Sequence, residues 1–157
     1  MSKWAYAVAS VVAVNSLACT VAVNPRVAER GEAVIEAYVR AWNAHDSAAI
    51  ESLLAPDAIH EDIAQNFRHE GKANVIAFMR RTMATQPGFK LRVATSIEDG
   101  RYFALEWMWT ATYTGPDLTG KQVTDRPISA RGATFGEVEN GKIKRISDYW
   151  DLASAFR

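Results

Sequence analysis

Residues 128–150, ISARGATFGEVENGKIKRISDYW, decide the architecture. Two strand-like runs flank Asn140-Gly141, the strongest short-range hairpin dipeptide, because a type I′ turn needs positive φ at both of its central residues. A two-residue turn pairs Glu139 with Lys142 and carries the register down both strands. Arg131 then faces Trp150, Ala133 faces Asp148, Phe135 faces Ile146 and Glu137 faces Lys144. One face of the hairpin therefore holds Arg131, Ala133, Phe135, Ile146, Asp148 and Trp150. A carboxylate stands between an isoleucine and a tryptophan on a face suited to a core. Buried without a partner it would take up a proton. Arg131, a diagonal neighbour, is within reach to keep it ionised. The spacing leaves two roles open: a buried Arg–Asp pair that fixes the hairpin, or a catalytic or orienting carboxylate in an apolar pocket.

The same patterning extends upstream. FKLRVATSI (89–97) and RYFALEWMWTATYTG (101–115) flank Glu98-Asp99-Gly100, a second hairpin signal, and a long loop is expected over 115–127. Before Phe89 the period is helical. Val34, Tyr38, Ala41 and Trp42 recur at three- and four-residue spacing, with Glu32, Glu36 and Arg40 on other faces. Asp46 or Ser47 can cap a second, short helix through Leu54, and Pro56 marks a turn. Residues 58–63, AIHEDI, read as a short strand, followed by a polar loop to Gly71. A third helix, KANVIAFMRRTMAT (72–85), is stopped by Pro87-Gly88. Three N-terminal helices followed by a curved antiparallel sheet make an α+β domain with its helices on one face.

The 157 residues suffice for one domain, and 48% apolar with 23% charged residues is a globular profile. Eighteen basic residues balance eighteen acidic ones, so nothing favours nucleic acid or an anionic membrane. Cys19 is the only cysteine, which excludes an intramolecular disulfide. Residues 1–24 begin with one lysine and run apolar from Trp4 to Val14. Ser16-Leu17-Ala18 follows with small residues where a signal peptidase reads them. This predicts a secretory signal too short for a membrane span, with the domain at 25–157 and a secreted or periplasmic location. The alternative is an additional N-terminal helix or strand and a cytoplasmic protein.

Strand alternation puts His60 and Asp62 on one face and Glu61 on the other. The pair lacks a third ligand nearby, so no metal site is expected. Asp62 as a base modulated by His60 is the chemistry the pair can do. Tyr38 faces inward with Trp42, and a buried hydroxyl there needs a polar partner. Trp107 and Trp109 share a face with Phe103, Leu105 and Tyr113. Such a stripe is either core or the wall of a hydrophobic pocket. Trp42, Trp107, Trp109, Phe135 and Trp150 are the aromatic residues that would touch a ligand. His45 and His69 fall in loops, where no specific role is expected.

VIEAYVRAWNAHDSAAIESLLAPDAIHED (34–62) resembles the opening of proteins in the nuclear transport factor 2-like superfamily, and the likeness runs to about Leu152. It implies a cone-shaped curved antiparallel sheet behind three helices, a cystatin-like α+β barrel, with a ligand pocket inside. Tyr38 and Asp62 resemble the catalytic tyrosine and base of ketosteroid isomerases. The second oxyanion carboxyl of those enzymes would fall near Ala133 or Thr134, where none stands. GKIKRISDYWDL (141–152) is similar to the closing motif of limonene-epoxide hydrolases, whose catalytic aspartate matches Asp148. Their arginine and second aspartate would fall near Trp107 and Trp109, and their tyrosine and asparagine on His60 and Asp62. RGATFGEVENGKI (131–143) resembles SnoaL-like polyketide cyclases, which use a pocket acid/base for cofactor-free aldol chemistry. The resemblance implies a cofactor-independent isomerase, cyclase or hydrolase for a small hydrophobic carbonyl compound. Asp62 would take a proton, Tyr38 would donate to the enolate oxygen, and Asp148 held by Arg131 would be the second acid/base. The alternative is a non-catalytic ligand-binding or dimerising domain. A homodimer through the outer sheet face is expected in either case.

Overall fold

The computed structural model describes residues 25–156, with side chains from Val34 onward. The expected secretory segment and Cys19 lie outside the described residues. Helix α1 (Pro25–Ala44) leads into α2 (Ser47–Leu53), which Asp46 caps by accepting from the Ala49 amide at 2.9 Å. Then come β1 (Leu54–Asp62), β2 (Phe67–Glu70), α3 (Lys72–Thr85), β3 (Lys90–Glu98), β4 (Tyr102–Pro116), β5 (Gln122–Glu139), β6 (Lys142–Trp150) and a short α4 (Leu152–Ala155). The strands form one curved, unclosed sheet in the order β2-β1-β6-β5-β4-β3. Every pairing is antiparallel except β1 with β6, which is parallel. Ile35, Tyr38 and Trp42 of α1 and Val75, Ile76 and Met79 of α3 pack against Phe103, Leu105, Ile143 and Ile146 to form the core.

Three elements depart from the sequence reading. The polar loop before Gly71 is the strand β2, because His69 lies opposite His60 and the sheet gains an edge there. The long loop after Gly115 shrinks to a tight turn. The Asp117 carboxylate collects the Thr119 and Lys121 amides at 2.8 and 3.1 Å, so β5 starts at Gln122. Asp151 caps the unanticipated α4 by accepting from the Ala153 amide at 3.0 Å.

The closing hairpin carries the correction with most consequence. Asn140 and Gly141 take φ of 51° and 73°, and Glu139 does pair with Lys142. Between Glu137 and Val138 the register then slips by one, because Lys144 is an extra residue on β6. Beyond this bulge Glu137 lies opposite Arg145, Thr134 opposite Asp148 and Gly132 opposite Trp150. One inserted residue reverses which side chains of β5 face the core. Ile128, Ala130 and Thr134 are therefore buried. Arg131 and Phe135 point outward, at 75% side-chain exposure and 53% exposure respectively. Arg131 bonds Glu106 on the outer face at 2.5 Å, and Phe135 packs edge-on to Tyr149. The expected Arg131–Asp148 pair does not form, and Phe135 does not line the pocket.

Candidate active site

The parallel β1–β6 pairing sets Asp62 beside Asp148 and carries His60 to the same inner face. His60 and Asp62 are both buried, at 1% and 5% exposure. Glu61 faces outward as alternation requires, where Ser147 Oγ donates to it at 2.8 Å and Arg68 joins it. From α1, Tyr38 and Trp42 reach the same cavity. It is lined as well by Phe78 of α3 and Gln86 just beyond that helix, by Trp107 and Trp109, and by Trp150, Leu152 and Phe156. Its free space, counting the open mouth, is about 910 Å³. Of the five aromatic residues expected at a ligand, Trp42, Trp107, Trp109 and Trp150 are there.

Asp148 is the centre of a hydrogen-bonded chain. Trp107 Nε1 donates to Thr134 Oγ1 at 2.7 Å, and Thr134 Oγ1 donates to Asp148 Oδ1 at 2.5 Å. On the other side His60 Nε2 lies 2.9 Å from Asp148 Oδ2. The His60 ring is 2% exposed and the Asp148 side chain 23%, so the carboxylate keeps a face toward the cavity. With Asp148 ionised, His60 Nε2 carries the donated proton. His60 Nδ1 is then buried with no hydrogen-bond partner. Thr134 takes the place that sequence spacing gave to Arg131. A hydroxyl already fixed by the Trp107 indole replaces a guanidinium as the group that orients the carboxylate.

Asp62 is built differently. Its Oδ1 accepts from the Gln65 amide at 3.0 Å and from Trp150 Nε1 at 3.1 Å, and its Oδ2 accepts from Gln65 Nε2 at 2.6 Å. Asp62 thus ties the end of β1 to the closing strand. Tyr38 is buried, and its hydroxyl is pushed up, out of the range where it would ionise, first by burial and then by the charge of Asp148. It stays a neutral donor at any working pH. Among the described residues, no group of three or more His, Cys, Asp or Glu side chains could hold a metal ion.

A model of the SnoaL-like domain matches residues 35–146. The chain belongs to the SnoaL-like domain family. This SnoaL-like domain is similar in structure to a candidate SnoaL-like polyketide cyclase from Jannaschia sp., at TM-score 0.72 and 18% identity, over 85% of this chain and 92% of that one. A candidate polyketide cyclase from Pseudomonas putida aligns at TM-score 0.67 and 29% identity, over 77% and 91% of the two chains. A limonene-epoxide-hydrolase-like epoxide hydrolase from M. tuberculosis aligns at 0.66 and 20%, over 82% and 87%. None of the curated proteins matches the chain.

The SnoaL-like domain also gives His69 a place that sequence reasoning missed, because β2 is too short and polar to signal a strand. His60 and His69 stack at 6.1 Å between ring centroids and 12° between planes, and Phe78 lies 4.7 Å from each. The imidazole of His69 is held below its usual range by burial, then by His60 and Arg81, with Asp62 opposing. The unfolded chain therefore binds a proton near pH 6.5 that the folded one refuses, so stability falls as pH drops through that value. The melting temperature is expected to decline between pH 7.5 and 5.5, and His69→Phe, which keeps the stack, should flatten that decline. An unchanged slope in the variant would remove His69 from the account.

Proposed function

We propose that this SnoaL-like domain is a cofactor-independent enzyme that moves a proton on a hydrophobic carbonyl compound, with Asp148 as the acid/base. The observation that carries the proposal is the state of the two carboxylates in one cavity. Asp148 accepts a single hydrogen bond on each oxygen, from Thr134 and from His60, and each oxygen keeps a lone pair for a substrate proton. Asp62, with three donors already on it, suits bracing Trp150 and Gln65 better than proton abstraction. The proton-abstracting role that sequence reasoning gave to Asp62 therefore passes to Asp148.

In the proposed step the C–H proton alpha to the carbonyl passes to an Asp148 oxygen. The C–H electron pair becomes the enolate double bond, and the developing oxyanion accepts from Tyr38, a buried donor that stays neutral. Return of the proton at another carbon gives isomerisation. Attack of the enolate carbon on a second carbonyl of the same molecule, with proton delivery to the new alkoxide, gives aldol cyclisation. His60, bonded to Asp148, steadies the carboxylate through the proton's arrival and departure. The polyketide-cyclase neighbours are consistent with the second outcome.

The test needs no knowledge of the full reaction. Enzyme-dependent exchange of alpha-protons for deuterium in 1-tetralone and estrone, followed by proton NMR in D2O, reads the first step alone. Exchange above the buffer rate is expected. Binding of both ketones without exchange would sink the catalytic reading in favour of a ligand-binding domain.

The same proposal includes a dimer through the outer sheet face, where Tyr102, Phe135 and Tyr149 are exposed. Sedimentation at micromolar concentration should give twice the chain mass, and a monomer would count against it.

A further inference from the structure

The cavity wall is partly buried and partly open to water. Trp107, Trp109 and Thr134 are buried, whereas Tyr113, Leu152 and Phe156 are half-buried and keep contact with solvent. These last three therefore belong to the mouth. Leu152 opens α4 and Phe156 caps it, so a helix of one turn forms part of the rim. Such a short helix does not hold its shape by its own hydrogen bonds. It rests on the sheet through Ala155, which is 3% exposed, and it is joined to β6 by the single exposed residue Asp151.

The contacts at the far end of α4 converge on Phe156. Arg126 of β5 donates to the Phe156 carbonyl, and its guanidinium stands 5.7 Å from the centre of the Phe156 ring. Tyr113 of β4 meets the same ring edge-on at 5.3 Å. Tyr113 and Arg126 are direct cross-strand partners, and the ladder is interrupted immediately beyond them. Between Tyr113 and Gly115 the register slips by one, with the extra residue on β5. Asp125 takes φ of 52° there, and its amide donates to Thr114 Oγ1 at 3.1 Å. A bulge of this kind bends the strand and re-aims the neighbouring side chain, here Arg126. Tyr113 is pinned from behind, because its hydroxyl donates to the Pro116 carbonyl at 3.0 Å. Arg126 instead engages a neutral carbonyl and a ring, contacts that break and re-form without stranding a buried carboxylate.

We propose that α4 is a gate on the cavity, hinged at Asp151 and latched by Arg126 and Tyr113 on Phe156. In the closed state Phe156 lies against Tyr113 and narrows the mouth. Release of Phe156 removes the carbonyl and ring contacts together, so the turn loses its outer anchor in one step and the tryptophan walls become reachable from solvent. The gate controls entry and exit, and it stands whichever chemistry the cavity performs.

Acrylamide, a small neutral quencher, tests this on the unliganded protein. Trp4→Phe is placed in every chain, so that the indoles lining the cavity, Trp42, Trp107, Trp109 and Trp150, are the ones that report. Arg126→Met keeps most of the apolar stem and removes the guanidinium; Phe156→Ala removes the ring. Each is expected to raise the quenching constant by about threefold or more, and the double variant should exceed neither, because both act on one latch. Hydrogen exchange followed by mass spectrometry should show the amides of residues 151–156 exchanging about tenfold faster in both variants, with the β1–β6 seam as protected as in the parent. Unchanged quenching in both variants would overturn the gate, as would effects that add in the double variant. A parent chain whose α4 amides already exchange at the unprotected rate would overturn it too. So would faster exchange in the seam, which would make Arg126 and Phe156 packing residues of the whole domain.

Discussion

Asp148→Asn is expected to lower the enzyme-dependent exchange rate by roughly 10²- to 10⁴-fold while ketone binding changes little. The amide has the carboxylate's shape but cannot hold the substrate proton. It also disturbs the chain that positions it: with the amide oxygen accepting from Thr134, the amide nitrogen faces His60 Nε2, which must shift its proton to the buried, unpartnered Nδ1. A modest loss of stability, about 1–3 kcal/mol by urea denaturation, should accompany the loss of rate. Asp62→Asn is the informative companion. It weakens the bracing of Trp150 and Gln65 but leaves the His60–Asp148 pair intact, so on the proposed mechanism the rate should fall by less than about tenfold. The reverse ranking, with Asp62→Asn abolishing exchange and Asp148→Asn sparing it, would return proton abstraction to Asp62 and leave Asp148 a structural role.

The largest stability effect is expected at Gly136. A Cβ built there would lie 1.9 Å from Phe103 Cζ and 2.2 Å from Cε1, so the inner face of β5 closes on a ring that is 4% exposed. Gly136→Ala cannot be absorbed by a flexible chain end, since Phe103 is held in the core by its neighbours. A loss of about 3 kcal/mol or more is expected, at or beyond the upper end for overpacked cores. Phe103→Leu in the same chain should recover part of it, because a smaller side chain vacates the clash. A Gly136→Ala variant as stable as the parent would mean that β5 can move off the helices. The wall that presents Thr134 to Asp148 would then be softer than the hydrogen bonds suggest.

The residues that explain these predictions were unequally legible in the sequence. The Asn140-Gly141 turn, the helical period around Tyr38 and Trp42, and the shared face of His60 and Asp62 follow from rules that act over a few residues. All three stand in the structure. Arg131 and Phe135 fall on the wrong face when the ladder from the two-residue turn is extended without interruption. Ile143 and Ile146, both buried though three residues apart, break the alternation and mark the bulge at Lys144. Thr134 could be recognised as a possible donor near the oxyanion position, but not as the partner of Asp148, since that depends on the same slip. Gln86 stands beside a Pro-Gly stop and gives no signal of facing a cavity. His69 reads as a loop residue because an edge strand of four residues carries little pattern, and its partner His60 lies across a turn.

The parallel pairing of β1 with β6 has a further consequence, in the order of events by which the protein forms. His60 and Asp148 are 88 residues apart, and every other strand lies between them in the chain. Helices and the β3–β4 and β5–β6 hairpins can form from local contacts, but the β1–β6 seam requires the longest loop in the domain to close. The His60–Asp148 hydrogen bond therefore comes into being only with that closure. A chain stalled with its hairpins made but its seam open would keep most of its secondary structure and have no site. In stopped-flow refolding, recovery of the environment of Trp150, whose indole donates to Asp62 across the seam at 3.1 Å, should belong to the slowest phase.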